Sequence, residues 1–477
     1  MHKRLRHFFI YSVLSIIFAA TIVAPAQAYH MELASQSAIL VEETTGKVLY
    51  EKDADERLYP ASLTKLVTAL LVLEHFSPNE FVVTGSEIHE IPWDSSRAFH
   101  VEGETLSIEN LIRGLVIPSG NETACVAARA VVERAKGTDA IDDMDYLMIE
   151  AEFCRMMNEF ARNLGAIGTN FENPHGYHHE EHYSTARDMM LISRAAMDNA
   201  LIRQTARELG YIGNGAGLHA DPALTTQHYN WQTHNKLIEP ASEFFYPYAT
   251  GIKTGFTTPA GFCLASSAER DGRRLIAVVL NAPTEDDRWF DTHELFEFGF
   301  NTFGDETIQT QGDILYEIEV EEVRLGDDST LELVAAEDVV RYMSKEEAER
   351  VTSEVALLPE RAEDGKIFAP VEEGERIATI TLKLDGETVY TGDLLAASDI
   401  EGRTFQTDMV HHVDEFMDTA FSPVGLLFFF GGIAAVLAAI RIAVVLHRRK
   451  QRRKNRYRLA NNRVSSRNNR LNNRRRY

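Results

Sequence analysis

Hydrophobic and polar positions recur with two different periods along the chain, and together they predict helices mixed with hairpin-connected strands. Residues 38–52 alternate between apolar and polar side chains on either side of a turn at 44–46, which predicts a β-hairpin. From Ser62 the apolar positions follow a helical period, and Ser107 is placed to begin a second helix that ends near Val116.

The same patterns continue over the following 200 or so residues. Further helices are predicted near 122–133, 142–164 and 288–299, the last two ending at Gly165 and Gly299; strands are predicted near 249–255, 262–268 and 274–281. Helices mixed with hairpin-connected strands predict an α+β fold built around an antiparallel sheet, and we assign it to residues 35–304.

Beyond residue 305 the pattern becomes one of short alternating segments. Residues 316–325, 331–335 and 377–384 have the alternation of strands, and Asp385-Gly386 is a hairpin signal. We therefore predict a separate small β-rich domain over 310–400.

The two ends of the chain carry targeting signals. Basic residues precede an apolar run and the small residues of Ala26-Gln27-Ala28, so 1–28 are predicted to be a cleaved signal peptide, with an uncleaved signal anchor as the alternative. Residues 421–447 are apolar over a length that can cross a bilayer, and the basic tail 448–477 follows at once. The preceding linker, 405–420, has the spacing of a short interfacial helix, although an ordinary connection fits almost as well.

Charge is strongly segregated along the sequence. Residues 29–420 hold 30 Lys and Arg against 72 Asp and Glu, a formal charge of −42, whereas 448–477 hold 14 basic residues and no acid. An acidic body repels phosphates, so we expect it to be a poor binder of nucleic acid. A nucleic-acid role for the basic tail is the alternative to a topological one, which is favoured because positive charge beside a span is enough to explain the tail. Positive charge beside a span stays on the cytoplasmic side, so we expect a single-pass protein of the cell membrane. Its body is then extracellular and its tail cytoplasmic, in contact with membrane lipid.

Three short motifs carry candidate chemistry. Ser62 and Lys65 are three residues apart at a helix start, so both side chains lie on one face, where a neutral lysine can activate a serine hydroxyl. Ser119-Gly120-Asn121 lies between two predicted helices, and Lys253-Thr254-Gly255 lies in a predicted strand. Separately, each motif also fits a helix cap with a surface lysine, a plain turn, or an exposed strand end. In this order, however, the three form the signature of penicillin-interacting serine enzymes.

With these motifs the chain resembles the serine-type D-Ala-D-Ala carboxypeptidases, the low-molecular-mass penicillin-binding proteins. Additional segments that resemble the family are Asn173-Pro174-His175-Gly176, 182–188, Asn235-Lys236-Leu237, 251–257 and 260–263. The resemblance is strong over about residues 35–300. It implies a penicillin-binding/β-lactamase-like transpeptidase fold, and Phe256 stands where some members carry His.

The resemblance also implies roles for individual residues. Ser62 is the expected nucleophile, Lys65 its base and Ser119 the proton relay, so these three are the expected catalytic residues. The expected substrate-binding residues are Asn121, Lys253, Thr254, Gly255 and Phe256. The implied partners are a wall stem peptide ending in D-Ala-D-Ala and β-lactam antibiotics, and neither a cofactor nor a metal is implied.

Three alternatives stay open at this stage. The histidines between His175 and His182, with Glu180 and Glu181, suggest a zinc carboxypeptidase, although their spacing matches no familiar zinc motif. A β-lactamase of the same fold would need an acid that activates the deacylating water. A catalytically idle wall-binding protein is the third possibility. The three cysteines, Cys125, Cys154 and Cys263, are interpreted as core residues, with one bridge possible.

Overall fold

The computed structural model describes residues 31–141, 144–214 and 228–472, so the predicted signal peptide lies outside the described residues. The chain divides into two compact units. The first runs up to Asp305 and includes Tyr342–Glu346; the second holds Glu306–Arg341 and the chain from Glu347 onwards.

The first unit is organised around one antiparallel sheet. Its strands in chain order are β1 (Ser37–Glu42), β2 (Val48–Lys52), β3 (Phe81–Val83), β4 (Thr105–Ser107), β5 (Gly210–Asn214), β6 (His228–Gln232), β7 (Ala249–Thr257), β8 (Gly261–Arg270) and β9 (Arg273–Ala282). The main sheet has the order β2-β1-β9-β8-β7, with every neighbour antiparallel, while β3 pairs with β4 and β5 with β6. The predicted hairpin at 38–52 and the predicted α+β fold are confirmed.

Helices pack on both faces of this sheet, Ala186–Asp198 on one face and Glu285–Thr302 on the other. The described helices of the unit are Lys65–His75, Ile108–Val116, Asn121–Lys136, Thr138–Ile141, Tyr146–Asn163, Ala186–Asp198, Ala200–Ala206 and Glu285–Thr302, with 3-10 turns at Ala61–Thr64 and Ser86–His89. Ser107 caps its helix as predicted, because its side chain accepts a hydrogen bond from Asn110 N. Val67 and Leu111 belong to the larger core on one face, and Trp289 and Phe296 pack on the other.

The prediction that Gly299 ends its helix is wrong, because the helix continues to Thr302. Gly299 is a packing residue: a Cβ there would lie 2.6 Å from Leu275 Cδ1 and 2.9 Å from Leu40 Cδ2. The glycine therefore lets the helix approach the sheet closely instead of closing the helix.

The bridge that the sequence left possible does not form among the three cysteines. Cys125, Cys154 and Cys263 are all free and buried. Burial raises the pKa of each thiol, so they are core residues, as interpreted from the sequence.

The region from Phe303 to Ala396 is rich in β-structure, as predicted. Its strands are β10 (Phe303–Gln309), β11 (Ile314–Glu321), β12 (Thr330–Ala335), β13 (Val339–Ser344), β14 (Thr352–Leu357), β15 (Ala362–Glu363), β16 (Lys366–Phe368), β17 (Arg376–Leu384) and β18 (Glu387–Ala396), with a short helix at Lys345–Glu349. Seven of them form one sheet in the order β14-β17-β18-β12-β11-β16-β15 around a core that includes Leu333, Ile377 and Leu394. Asp385 and Gly386 turn the β17–β18 hairpin with positive φ, as their sequence signal predicts.

Two helices follow this sheet, Phe405–Phe421 and Pro423–Asn472. The part Pro423–Lys454 is long and apolar enough to cross a membrane, and none of its most apolar stretch is buried in the protein. The predicted span began at Phe421, but Phe421 ends the preceding helix and Ser422 separates the two. Proline is favoured at the first position of a helix, which explains the start at Pro423.

Candidate active site

Ser62 and Lys65 face one another at the N-terminal end of the first long helix. Ser62 lies in the 3-10 turn, and Lys65 is the first residue of the α-helix. Lys65 Nζ is 2.9 Å from Ser62 Oγ and 2.7 Å from both Asn121 Oδ1 and His175 O. A neutral amine has two N–H groups, and each can donate a hydrogen bond to one of these two carbonyl oxygens. Its lone pair is then left for the serine hydroxyl.

The second motif stands beside this pair. Asn121 begins its helix and contacts Lys65, while Ser119 is 4% exposed with φ of 61°. Positive φ is costly for a residue with a Cβ, and such strain is concentrated at functional sites. The Asn121 backbone N–H also donates to Ser96 O, 2.9 Å away, which connects the motif to the preceding loop.

The third motif lies on β7 at the edge of the main sheet, next to the serine turn. A Cβ on Gly255 would lie 3.0 Å from Pro60 O and 3.1 Å from Ser62 N. The glycine of this motif is therefore needed because the strand passes directly against the backbone that carries Ser62. Lys253 is 2% exposed, and its Nζ donates to Thr254 O at 2.9 Å.

The segment 173–182 packs against the 3-10 turn that carries Ser62. Gly176 approaches so closely that a Cβ would lie 1.9 Å from Ala61 O. Thr64 Oγ1 is 2.8 Å from His182 Nε2, and burial lowers the pKa of His182 to about 3. His182 is thus a neutral, buried hydrogen-bonding residue.

The electrostatics of the site favour neutral lysine side chains. Burial, followed by the charge of Lys253, holds the pKa of Lys65 well below its usual range. Burial and the nearby Arg288 guanidinium lower the pKa of Lys253 to about 7. Both effects disfavour an ammonium group, so Lys65 is available as a base at neutral pH.

An open cleft passes over Ser62 and has two arms. Ser62, Asp94, Ser95, Ser96 and Phe256 line both arms. The Arg288 arm is also lined by Ser119, Thr254, His234, Lys236, Glu285 and Arg288. The Tyr177 arm is also lined by Asn121, Gly176, Tyr177, His178 and 257–259. The reactive serine therefore lies where the two arms meet.

Arg288 is a candidate site residue that the sequence reasoning missed. It is 5% exposed; its Nη1 donates to Gly255 O at 3.4 Å and its Nη2 lies 3.2 Å from Glu285 Oε1. Its buried Nε has no hydrogen-bond partner within the described chain. Its only sequence signal is a position inside a helix, and no motif identifies that position.

The zinc alternative is not supported by the geometry. Within residues 31–141, 144–214 and 228–472, no group of three or more His, Cys, Asp or Glu side chains is arranged to hold a metal ion. His182 is committed to Thr64 and to Glu172 N, and His178 lies edge-on to Tyr59.

The fold and the paired Ser62 and Lys65 define a serine-type hydrolase on an α+β scaffold. Residues 21–284 match the family described as D-alanyl-D-alanine carboxypeptidase, peptidase S11, and residues 303–402 match the C-terminal domain of penicillin-binding protein 5. The chain therefore belongs to the S11 family of serine-type D-Ala-D-Ala carboxypeptidases.

Individual relatives agree with this family. The D-alanyl-D-alanine carboxypeptidase DacF of Bacillus subtilis is 29% identical over 85% of this chain and 96% of its own. DacC of Escherichia coli is 28% identical over 82% and 90%. The structure of penicillin binding protein 5 from Haemophilus influenzae covers 78% of this chain and 99% of its own, with 25% identity and a TM-score of 0.52.

Proposed function

We propose that this protein removes the terminal D-alanine from peptidoglycan stem pentapeptides through an acyl-enzyme on Ser62. The observation that carries the proposal is the 2.9 Å distance between Ser62 Oγ and Lys65 Nζ. Lys65 is fully buried, and its Nζ also lies 2.7 Å from each of two carbonyl oxygens. A nucleophile and a base within hydrogen-bond reach are the minimum requirement for covalent catalysis by serine.

The reaction then proceeds in two halves. Ser62 Oγ attacks the carbonyl between the two D-alanines as its proton passes to Lys65. The C–N bond breaks, and Ser119 relays a proton to the departing D-alanine nitrogen. Water next attacks the ester, and the product leaves with a free carboxylate on the remaining D-alanine. The backbone N–H groups of Ser62 and Phe256 are the proposed oxyanion hole, and one such donor typically contributes about 3 kcal/mol to transition-state stabilisation.

The lining of the two arms sets the proposed substrate orientation. Thr254 and Arg288, which line the Arg288 arm, bind the terminal carboxylate together with Lys253, whose Nζ lies 2.9 Å from Thr254 O. Gly255 keeps the strand backbone close to the serine. The acyl part of the peptide then extends into the Tyr177 arm, where the Asn121 amide is available to a peptide group.

The proposal includes inhibition and location. A β-lactam would acylate Ser62 and persist there, because it mimics the substrate and its leaving group remains attached. The apolar helix at Pro423–Lys454 anchors the protein in the cell membrane. The acidic 29–420 body lies on the extracellular side and the basic 448–477 tail on the cytoplasmic side, following the bias of positive charge. We keep 1–28 as a signal peptide.

The test uses the membrane-extracted full chain and a pentapeptide ending in D-Ala-D-Ala, with free D-alanine as the readout. Release by wild type and its loss in Ser62→Ala, at unchanged thermal stability, is the expected result. Release by Ser62→Ala at the wild-type rate would refute the proposal. Rapid turnover of penicillin in place of a persistent adduct would instead indicate a β-lactamase.

A further inference from the structure

We infer that Asp94 is a specificity residue that binds the free side-chain ammonium of a diamino acid in the acyl part of the substrate. This inference rests on the proposed function, since it extends the assignment of the two arms. It names a feature of the substrate that the reaction itself does not require, because hydrolysis concerns only the bond between the two D-alanines.

Asp94 is exposed on the cleft wall beside the nucleophile. It lines the cleft together with Ser62 and with its neighbours Ser95 and Ser96. The Tyr177 hydroxyl donates to Asp94 Oδ1 at 3.2 Å. Tyr177 lines only the Tyr177 arm, so this hydrogen bond holds the carboxylate at the entrance to the arm that takes the acyl part.

The Asp94 carboxylate also raises the pKa of the Tyr177 hydroxyl, after the effect of desolvation, and thereby keeps Tyr177 a donor. The neutral Tyr177 hydroxyl thus donates to the Asp94 carboxylate and orients it. The other oxygen of the carboxylate is left for a ligand, since a carboxylate accepts through two oxygens.

Charge on the rest of the arm points to a cationic ligand. Among the described residues lining the Tyr177 arm, Asp94 is the one Asp, Glu, Lys or Arg side chain. No Lys or Arg in the described parts of the chain forms an ion pair with it. The Asp94 carboxylate repels a substrate that already carries a negative terminal carboxylate. A positive charge on the acyl part of the substrate offsets this repulsion.

Wall stem peptides bring such a charge on the third residue, a diamino acid that precedes the two D-alanines. Its side-chain amine is an ammonium when the strand is not cross-linked and a neutral amide once it has been acylated by a neighbouring strand. Recognition by Asp94 would therefore favour peptides that have not yet been cross-linked through this amine.

The experiment compares two tripeptides, Nα-acetyl-L-Lys-D-Ala-D-Ala and its Nα,Nε-diacetyl counterpart, by kcat/KM for D-alanine release. We expect wild type to prefer the free amine by about three- to fivefold at low salt, the effect of a solvent-exposed ion pair. The preference should decrease at ~0.5 M salt, because exposed charges are screened. Asp94→Asn, which retains an acceptor for Tyr177, should bring the ratio close to one.

Asp139→Asn is the matched control, since it removes the same charge from an exposed position that lines neither arm. It should keep the wild-type ratio. Equal efficiency on both peptides in wild type, or an unchanged ratio in Asp94→Asn, would overturn the inference while leaving the proposed function intact. If wild type releases D-alanine from neither peptide, the proposed function is refuted, and this inference with it.

Discussion

Replacing Lys65 by methionine separates the catalytic role of the amine from its structural role. The substitution retains an unbranched stem of similar length and removes Nζ. General bases typically contribute about 10²–10⁴-fold to rate, and each factor of ten corresponds to about 1.4 kcal/mol of activation free energy. We therefore expect acylation of Ser62 to slow by ~10³-fold or more in Lys65→Met.

The structural cost of the same change is small by comparison. Asn121 Oδ1 and His175 O each lose a donor, at about 1–3 kcal/mol for a buried acceptor. This loss is offset because the variant no longer buries an amine that burial alone disfavours. The net change should be small against the ~5–15 kcal/mol stability that is usual for a folded protein, so the variant should fold.

The assay is stopped-flow acylation by a fluorescent penicillin, combined with D-alanine release and a thermal unfolding curve. Lys136→Met, at an exposed lysine that pairs with Glu152, is the matched control and should acylate at the wild-type rate. Acylation of Lys65→Met within tenfold of wild type, at unchanged stability, would refute the role of Lys65 as the base.

Three further changes test other parts of the proposal. Arg288→Met should lower kcat/KM for a D-Ala-D-Ala peptide by ~10–100-fold, the value of a lost charge-assisted interaction, and the loss should disappear with a C-terminally amidated peptide. Because the folded-state pKa of Lys253 is lowered to about 7, the unfolded chain binds a proton that the folded chain lacks between pH ~7 and ~10.4, and stability rises with pH there. Lys253→Met should reduce that slope by up to ~1.4 kcal/mol per pH unit in unfolding titrations. Removing residues 403–477 should release the protein from membranes, whereas the full chain should resist alkaline carbonate and require detergent.

The sequence predicted the parts of the fold whose signals are local. The hairpin at 38–52, the helix capped by Ser107 and the Asp385-Gly386 turn depend on neighbouring residues, and the structure confirms all three. The helix at Ala186–Asp198 and the hairpin β5–β6 were not predicted. The misplaced helix end at Gly299 has a non-local cause: contact with Leu40 and Leu275.

The candidate site divides in the same way. Its three motifs each span a few residues, so spacing and order identified them, and the structure brings Ser62, Lys65 and Asn121 into direct contact. Arg288 and Asp94 lie on a helix and a loop outside the motifs. Their positions depend on how the sheet and the cleft wall assemble, and nothing within a few residues of either indicates that assembly.

Each cationic group of the site affects the pKa of the next, and a bound substrate carboxylate should change these pKa values. After the larger effect of burial, the charge of Arg288 lowers the pKa of Lys253, and the charge of Lys253 lowers the pKa of Lys65. A substrate carboxylate bound at Arg288 and Lys253 would oppose the first effect and favour a protonated Lys253. The resulting ammonium would lower the pKa of Lys65 further, keeping the base neutral when the peptide is in place. Binding of the terminal carboxylate and activation of Ser62 are therefore coupled through charge, and a peptide amidated at its C-terminus should lose rate as well as affinity.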